Sequence, residues 1–224
     1  MTFNQMRTLI LACVAVATIA PAFGQGTIQF GNELRNNLGV VVFRAPIYGA
    51  DPADPTRSAS SQSNLGLPVG TTVYGGPLLQ GTGYTMGLFA GPVGTTDPNS
   101  LVLVTTTTFR TANGDTLPGG LVMTRDVAIP GLAQGQNATL QIRVWDNEGG
   151  SITSWAQVLA SPTTARGATP LFNSPPLGGM GVPGADPPLM TGWTSFNISA
   201  VPEPSIFALA LLGSGAMLLR FRRR

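Results

Sequence analysis

Histidine and lysine are absent from this 224-residue chain, and its one cysteine, Cys13, stands inside an apolar run near the amino terminus. Without histidine there is no Ser-His-Asp triad and no imidazole metal ligand, and a chain processed beyond Cys13 keeps no thiol nucleophile, disulfide or thiolate metal site. Composition therefore excludes the common hydrolase designs, and stability must come from packing and sheet hydrogen bonds. Charge is scarce as well, at 10% of residues. All twelve basic residues are arginine, and five of them, Arg7, Arg220, Arg222, Arg223 and Arg224, lie in the two ends. Between Gln25 and Val201 seven arginines stand against nine acids, a net charge of about −2. Nucleic-acid binding needs basic residues clustered on the folded body, and no such stripe is present.

What the chain has in quantity is glycine, 29 residues, and proline, 19 residues, spread between short apolar runs, with length enough for one domain and two tails. The leading segment "MTFNQMRTLILACVAVATIAPAFGQG" carries one positive charge, an apolar stretch from Leu9 to Ala20, and then Ala22-Phe23-Gly24 with small residues at the −3 and −1 positions of a signal-peptidase site. It reads as a secretory signal peptide, residues 1–24, cut after Gly24. About twelve apolar residues are too few to span a bilayer as a helix, which needs ~20. At the other end, Ser205 to Leu219 is a charge-free stretch of fifteen residues, apolar nearly all round, followed by Arg220, Arg222, Arg223 and Arg224. Such a segment suits a short transmembrane helix, and the arginines act as stop-transfer charges that stay cytoplasmic and leave the body outside. Both ends therefore predict the same topology.

Val201-Pro202-Glu203-Pro204-Ser205, the apolar run and the arginine cluster, in that order and spacing, resemble the PEP-CTERM sorting signal of bacterial surface proteins. The resemblance covers only residues 201–224. It implies recognition by an exosortase, a membrane transpeptidase-like enzyme that removes the tail near Pro202, Glu203 and Pro204 after transient residence in the inner membrane. It further implies delivery to the cell surface or extracellular matrix, in association with exopolysaccharide and biofilm. A physical argument agrees: prolines on both sides keep Glu203 extended, the form in which a peptide enters a protease-like cleft.

The body, residues 25–200, has short β-branched or alternating runs broken by turn formers. The clearest strand is "ATLQIRVWD", with Leu140, Ile142 and Val144 on a core face and Thr139, Gln141 and Arg143 on a face expected to be wet. After the turn "DNEGG", "SITSWAQVL" is expected to return as its partner strand. Further strands are expected in "TIQFGN", "GVVVFR", "GYTMGLFAG", "LVLVTTTTF", "GGLVMTRDVAI" and "GWTSFNISAV". Together they predict an all-β antiparallel sandwich, jelly-roll or immunoglobulin-like, with long Gly/Pro-rich loops. The segment 45–70 reads as a long surface loop and 161–192 as extended irregular chain, with a spacer as the alternative.

Four constellations in the body invite chemistry. Asp146 and Glu148 form a close carboxylate pair of the kind glycoside cleavage uses, although a solvated hairpin turn explains them better. Asp146, Asn147 and Glu148, or Asp51 and Asp54, offer oxygens to calcium but lack the alternating ligands of an EF-hand loop. Trp145, Trp155 and Trp193, with Tyr48, Tyr74 and Tyr84, would make a sugar-binding platform if they faced solvent together. Asn137 and Asn197 sit in glycosylation sequons, which need a host with the machinery. No catalytic residue, metal or cofactor is expected. The reading is a non-catalytic exported protein, structural or adhesive, with a carbohydrate-binding module using exposed tryptophans as the alternative.

Overall fold

The computed structural model describes residues 24–111, 119–181 and 183–200. Except for Gly24, the predicted leader and tail lie outside the described residues. The described chain is mostly β. Its strands are β1 (Gln25–Phe30), β2 (Glu33–Arg35), β3 (Val41–Arg44), β4 (Tyr84–Pro92), β5 (Val102–Thr108), β6 (Arg125–Ala133), β7 (Ala138–Asp146), β8 (Arg166–Ala168) and β9 (Phe172–Asn173), and one short helix, α1, spans Trp155–Ala160. Every strand pair is antiparallel: β5-β4-β7-β8 with β9 also on β7, β1 with β6, and β2 with β3.

The alternation of "ATLQIRVWD" places Ala138, Leu140, Ile142 and Val144 on one face of β7, and all four are buried. Its neighbour β4 adds Met86, Leu88 and Ala90 to the same layer. The opposing surface of the core comes from Ile28 and Phe30 of β1, Ile129 of β6, and Leu34 and Phe43 of the β2–β3 hairpin. Each fully buried Leu, Ile or Phe contributes about 1.5–3 kcal/mol, so this layer is the main source of stability in a body without disulfides.

The expected wet face of β7 is not wet. Thr139, Gln141 and Arg143 are only 3%, 7% and 4% exposed. The segment expected to return as a partner strand instead forms α1, which lies over that face. Ser154 caps the helix: its hydroxyl accepts from the Gln157 N–H at 3.3 Å, and the Gln157 side chain accepts from the Ser154 N–H at 3.0 Å. This reciprocal pair stabilises a first turn that period-two reading passes over. Ile152, Trp155 and Val158 then pack on Trp145 to form a second, smaller core. Gly87 makes room for it, since a Cβ there would stand 3.0 Å from the Phe89 ring and 3.3 Å from Trp145.

The polar groups sealed under α1 and the adjoining loops are all engaged. Gln141 Nε2 donates to the Thr169 carbonyl and its Oε1 accepts from Arg143 Nε, both at 2.8 Å. Arg143 also lies over the rings of Phe89, at 4.0 Å, and Trp155, at 5.1 Å. Burial lowers the Arg143 pKa from its ordinary value, and the guanidinium exchanges water for aromatic faces and carbonyls instead of a carboxylate.

The two segments read as irregular surface chain are built into the body. Within 45–70, Ile47 is buried, Tyr48 stacks on Tyr74 with ring centroids 4.5 Å apart, and Ser63 is fully covered. Within 161–192, β8 and β9 extend the central sheet and Leu177 and Met190 enter the core, so this stretch is not a spacer. The expected last strand, "GWTSFNISAV", makes isolated bridges in place of a ladder: Phe196 to Ser60, Asn197 to Tyr48 and Ser199 to Arg166. Asn32, fully buried, ties three segments together by donating to the carbonyls of Ala45 and Gly120 and accepting from the Val122 N–H.

Leu140→Ala removes a side chain from the middle of the layer and is expected to destabilise the body by about 2–5 kcal/mol in urea unfolding. A loss below ~1 kcal/mol would contradict the placement of this face in the core.

Candidate functional site

Pro202, Glu203 and Pro204, and the arginines at 220 and 222–224, lie outside the described residues. What is described is the chain leading to them. Ile198 N–H donates to the Tyr48 carbonyl at 2.9 Å, Ser199 and Arg166 exchange two backbone bonds at 3.0 Å, and Ala200 N–H donates to the Pro55 carbonyl at 2.8 Å. The body is thus hydrogen-bonded up to Ala200, with Val201 alone between it and the proline-framed glutamate.

The aromatic platform is not assembled. Trp145 and Trp193 are 0% and 4% exposed, and Trp155 is half-buried between Trp145 and Phe89. Trp193 packs on Phe43, Phe172 and Phe196. Tyr48 is buried, and Tyr74 and Tyr84 are half-buried in different parts of the fold. The physical reason is that a body lacking cross-links uses its largest apolar side chains to fill cores.

The acidic stretches are turns. Asp146 Oδ1 accepts from the Glu148 N–H at 2.8 Å, Asn147 caps the short 3₁₀ turn Glu148–Gly150, and Glu148 accepts from the Thr164 hydroxyl at 2.8 Å. Asp51 accepts from the Ala53 N–H at 2.9 Å and pairs with Arg57 at 3.2 Å. Asp54 accepts from the Thr56 hydroxyl and N–H, which lower its carboxyl pKa. No group of three or more potential acidic, cysteine or histidine ligands occurs among the described residues. Asn197 is buried, its amide bonded to Ala59 and Arg57, so its sequon is closed in the folded body.

Sequence reasoning missed an ionic cluster. Glu33 opens β2 with its side chain on the face opposite Leu34, where β2–β3 pairing sets Arg44 directly across from it. The carboxylate meets Arg35 at 3.0 Å, Arg44 at 2.9 Å and Arg110 at 3.6 Å. Burial pushes the Glu33 pKa up, but bonding to Arg35 and the charges of Arg44 and Arg110 outweigh it, and the net shift is down. A carboxyl held ionised in this way makes a poor general acid. The Glu33-x-Arg35 alternation was readable in the sequence, whereas the approach of Arg110 depends on tertiary packing.

Beside this cluster a cleft of about 700 Å³ opens between the β2–β3 turn and segment 186–189. Its floor is Gln29 of β1, which faces Asp126 of β6 in register and bridges Leu189 on its other side. Its rim is built by Arg35, Asn36, Asn37 and Leu38 at one end and Asp186 with Pro187 at the other.

Comparison of the chain with protein-family models, curated proteins and solved structures returned no match. No helix of the described residues is long and apolar enough to cross a membrane, and the predicted span Ser205–Leu219 lies outside them.

The lowered pKa of Glu33 has a definite sign for stability. Its contribution is fully present above the unfolded-state value, about 4.3, and is lost as pH falls through the folded value. Melting temperature is therefore expected to fall as the pH drops below about 4, and Glu33→Gln should be less stable at pH 7 with a shallower acid slope. An unchanged slope would remove Glu33 from the acid response.

Proposed function

We propose that this chain is an exported, non-catalytic cell-surface or extracellular-matrix protein with a structural or adhesive role in exopolysaccharide. In this reading residues 1–24 are removed by signal peptidase, and the tail 201–224 is an exosortase substrate with a Pro-Glu-Pro motif, a transmembrane helix and an arginine stop. The carrying observation is the ordered combination of Pro202-Glu203-Pro204, the apolar run Ser205–Leu219 and the terminal arginines, paired with a secretory leader at the other end. The tail acts as a removable handle, in the manner of other cleaved apolar carboxy-terminal signals.

The body suits this role in several respects. Its first strand begins at Gln25, directly after the expected leader cut, and its last described hydrogen bonds end at Ala200, just before the sorting motif. Its cohesion needs no disulfide. We read the body as a β-sandwich: the β5-β4-β7-β8 sheet and the β1–β6 pair with the β2–β3 hairpin contribute opposing apolar faces to one core, as sandwich layers do. The non-catalytic reading is supported by the binding of Glu33, Asp51, Asp146 and Glu148 into ion pairs and turns.

Intact mass measures the tail directly. Protein recovered from the envelope or matrix is expected to lack residues 1–24 and roughly the last 20, and Glu203→Ala is expected to leave the tail in place. Recovery of wild-type protein with an uncut carboxy terminus would overturn the sorting reading.

A further inference from the structure

The cleft beside β1 combines polar side chains that the fold leaves unused. Gln29, Asn37, Asp126 and Asp186 all line it, and their side chains make no hydrogen bond or ion pair with the described residues. They come from four different segments: β1, the β2–β3 turn, β6 and the 186–189 stretch. Gln29 and Asp126 are cross-strand neighbours, which sets their Cβ atoms ~5 Å apart on one face. The walls are fixed. Asn36 Oδ1 accepts from the N–H groups of Leu38 and Val40 at 3.0 and 2.9 Å, Arg35 donates to the Gly39 carbonyl at 2.9 Å, and Gln29 N–H donates to the Pro188 carbonyl at 2.9 Å.

A second hollow adjoins the cleft and shares Asp186 and Pro187 with it; Thr27, two residues before Gln29 and on the same face of β1, lies on its border.

The chemistry of the lining selects the ligand. Amides both donate and accept, and carboxylates accept, which matches a molecule whose own groups alternate between the two, as sugar hydroxyls do. Leu38, 86% exposed, and Pro187 supply apolar edges against which the C–H face of a sugar ring can lie. Charge narrows the class further. Arg35 is held by the Glu33 carboxylate and the Gly39 carbonyl, whereas Asp126 and Asp186 have no ion-pair partner among the described residues, so at contact distance they attract a protonated amine and repel a uronate. We propose that this cleft binds an amine-bearing glycan, a hexosamine-type chain, through Gln29, Asn37, Asp126 and Asp186. The site does not depend on the sorting tail.

The test uses the full chain purified in a detergent without a sugar headgroup and titrated calorimetrically at pH 6 with three probes of equal length: chitosan, cello- and galacturonate oligosaccharides. The chitosan chain is expected to bind, the neutral chain at least ~10-fold more weakly and the anionic chain not at all. Asp126→Asn with Asp186→Asn, both exposed and without structural partners, should erase the preference for the amine, and Asn37→Ala should weaken both remaining ligands. Absence of binding by all three, equal binding of charged and neutral chains to the unaltered protein, or a preference that survives the double substitution would overturn the proposal. Circular dichroism of each variant separates loss of the site from loss of the fold.

Discussion

One strand bears on everything else in this body. Strand β7 is paired on both edges, with β4 along one side and β8 and β9 along the other, and it is covered on both faces. Its aliphatic face supplies the main core, while its polar face is sealed by α1 and the loops. A strand in this position allows little freedom: each side chain on either face must find a partner in apolar or hydrogen-bonded surroundings, because water reaches neither. Gln141, Thr139 and Arg143 meet that demand through Thr169, Asn173 and the Phe89 and Trp155 rings. The short helix and the stretch carrying Thr169 and Asn173 thus answer what β7 requires on its second face, while Ile47, Leu177 and Met190 anchor the two Pro/Gly-rich segments in the main core.

The strands were legible in the sequence where period-two alternation coincided with one apolar face, as in β1, β4 and β7, and β5 followed from its run of Val and Thr. Strand β3 followed from its β-branched run, and β6 from "TRDVAI". The burial of β7's second face was not legible, because Thr139, Gln141 and Arg143 have the composition of a solvated surface and are paired by residues far along the chain. Helix α1 was hidden for another reason: six residues are too few to establish a helical period, although Trp155 and Val158 stand at the i, i+3 spacing of one helix face. The signal that identifies it is Ser154 followed three residues later by Gln157. The proline and serine content of segments 45–70 and 161–192 predicts surface chain. Single anchors such as Ile47, Leu177 and Met190 hold them inside the body, and isolated anchors leave no periodic trace.

The candidate sites divide along the same line. Residue types that advertise chemistry, the tryptophans and the close acidic pair, turned out to serve packing and turns. The groups left free, Gln29, Asn37, Asp126 and Asp186, share no motif and converge only because β1 lies between β6 and the 186–189 segment. The Glu33 cluster lies between these cases, half of it written in a local alternation and half assembled by the hairpin. For a protein proposed to work outside the cell, this arrangement concentrates cohesion in a buried strand and leaves the outer face of β1 available to a ligand.

The central claim, that β7 organises the body from both faces, is tested most directly by native-state hydrogen exchange. The amides of Thr139 to Trp145 are expected to exchange more slowly than any others in residues 25–200, opening only with global unfolding, with Val158 in α1 protected well above the loop amides. Exchange of Gln141 and Arg143 at the rate of surface loops would contradict it.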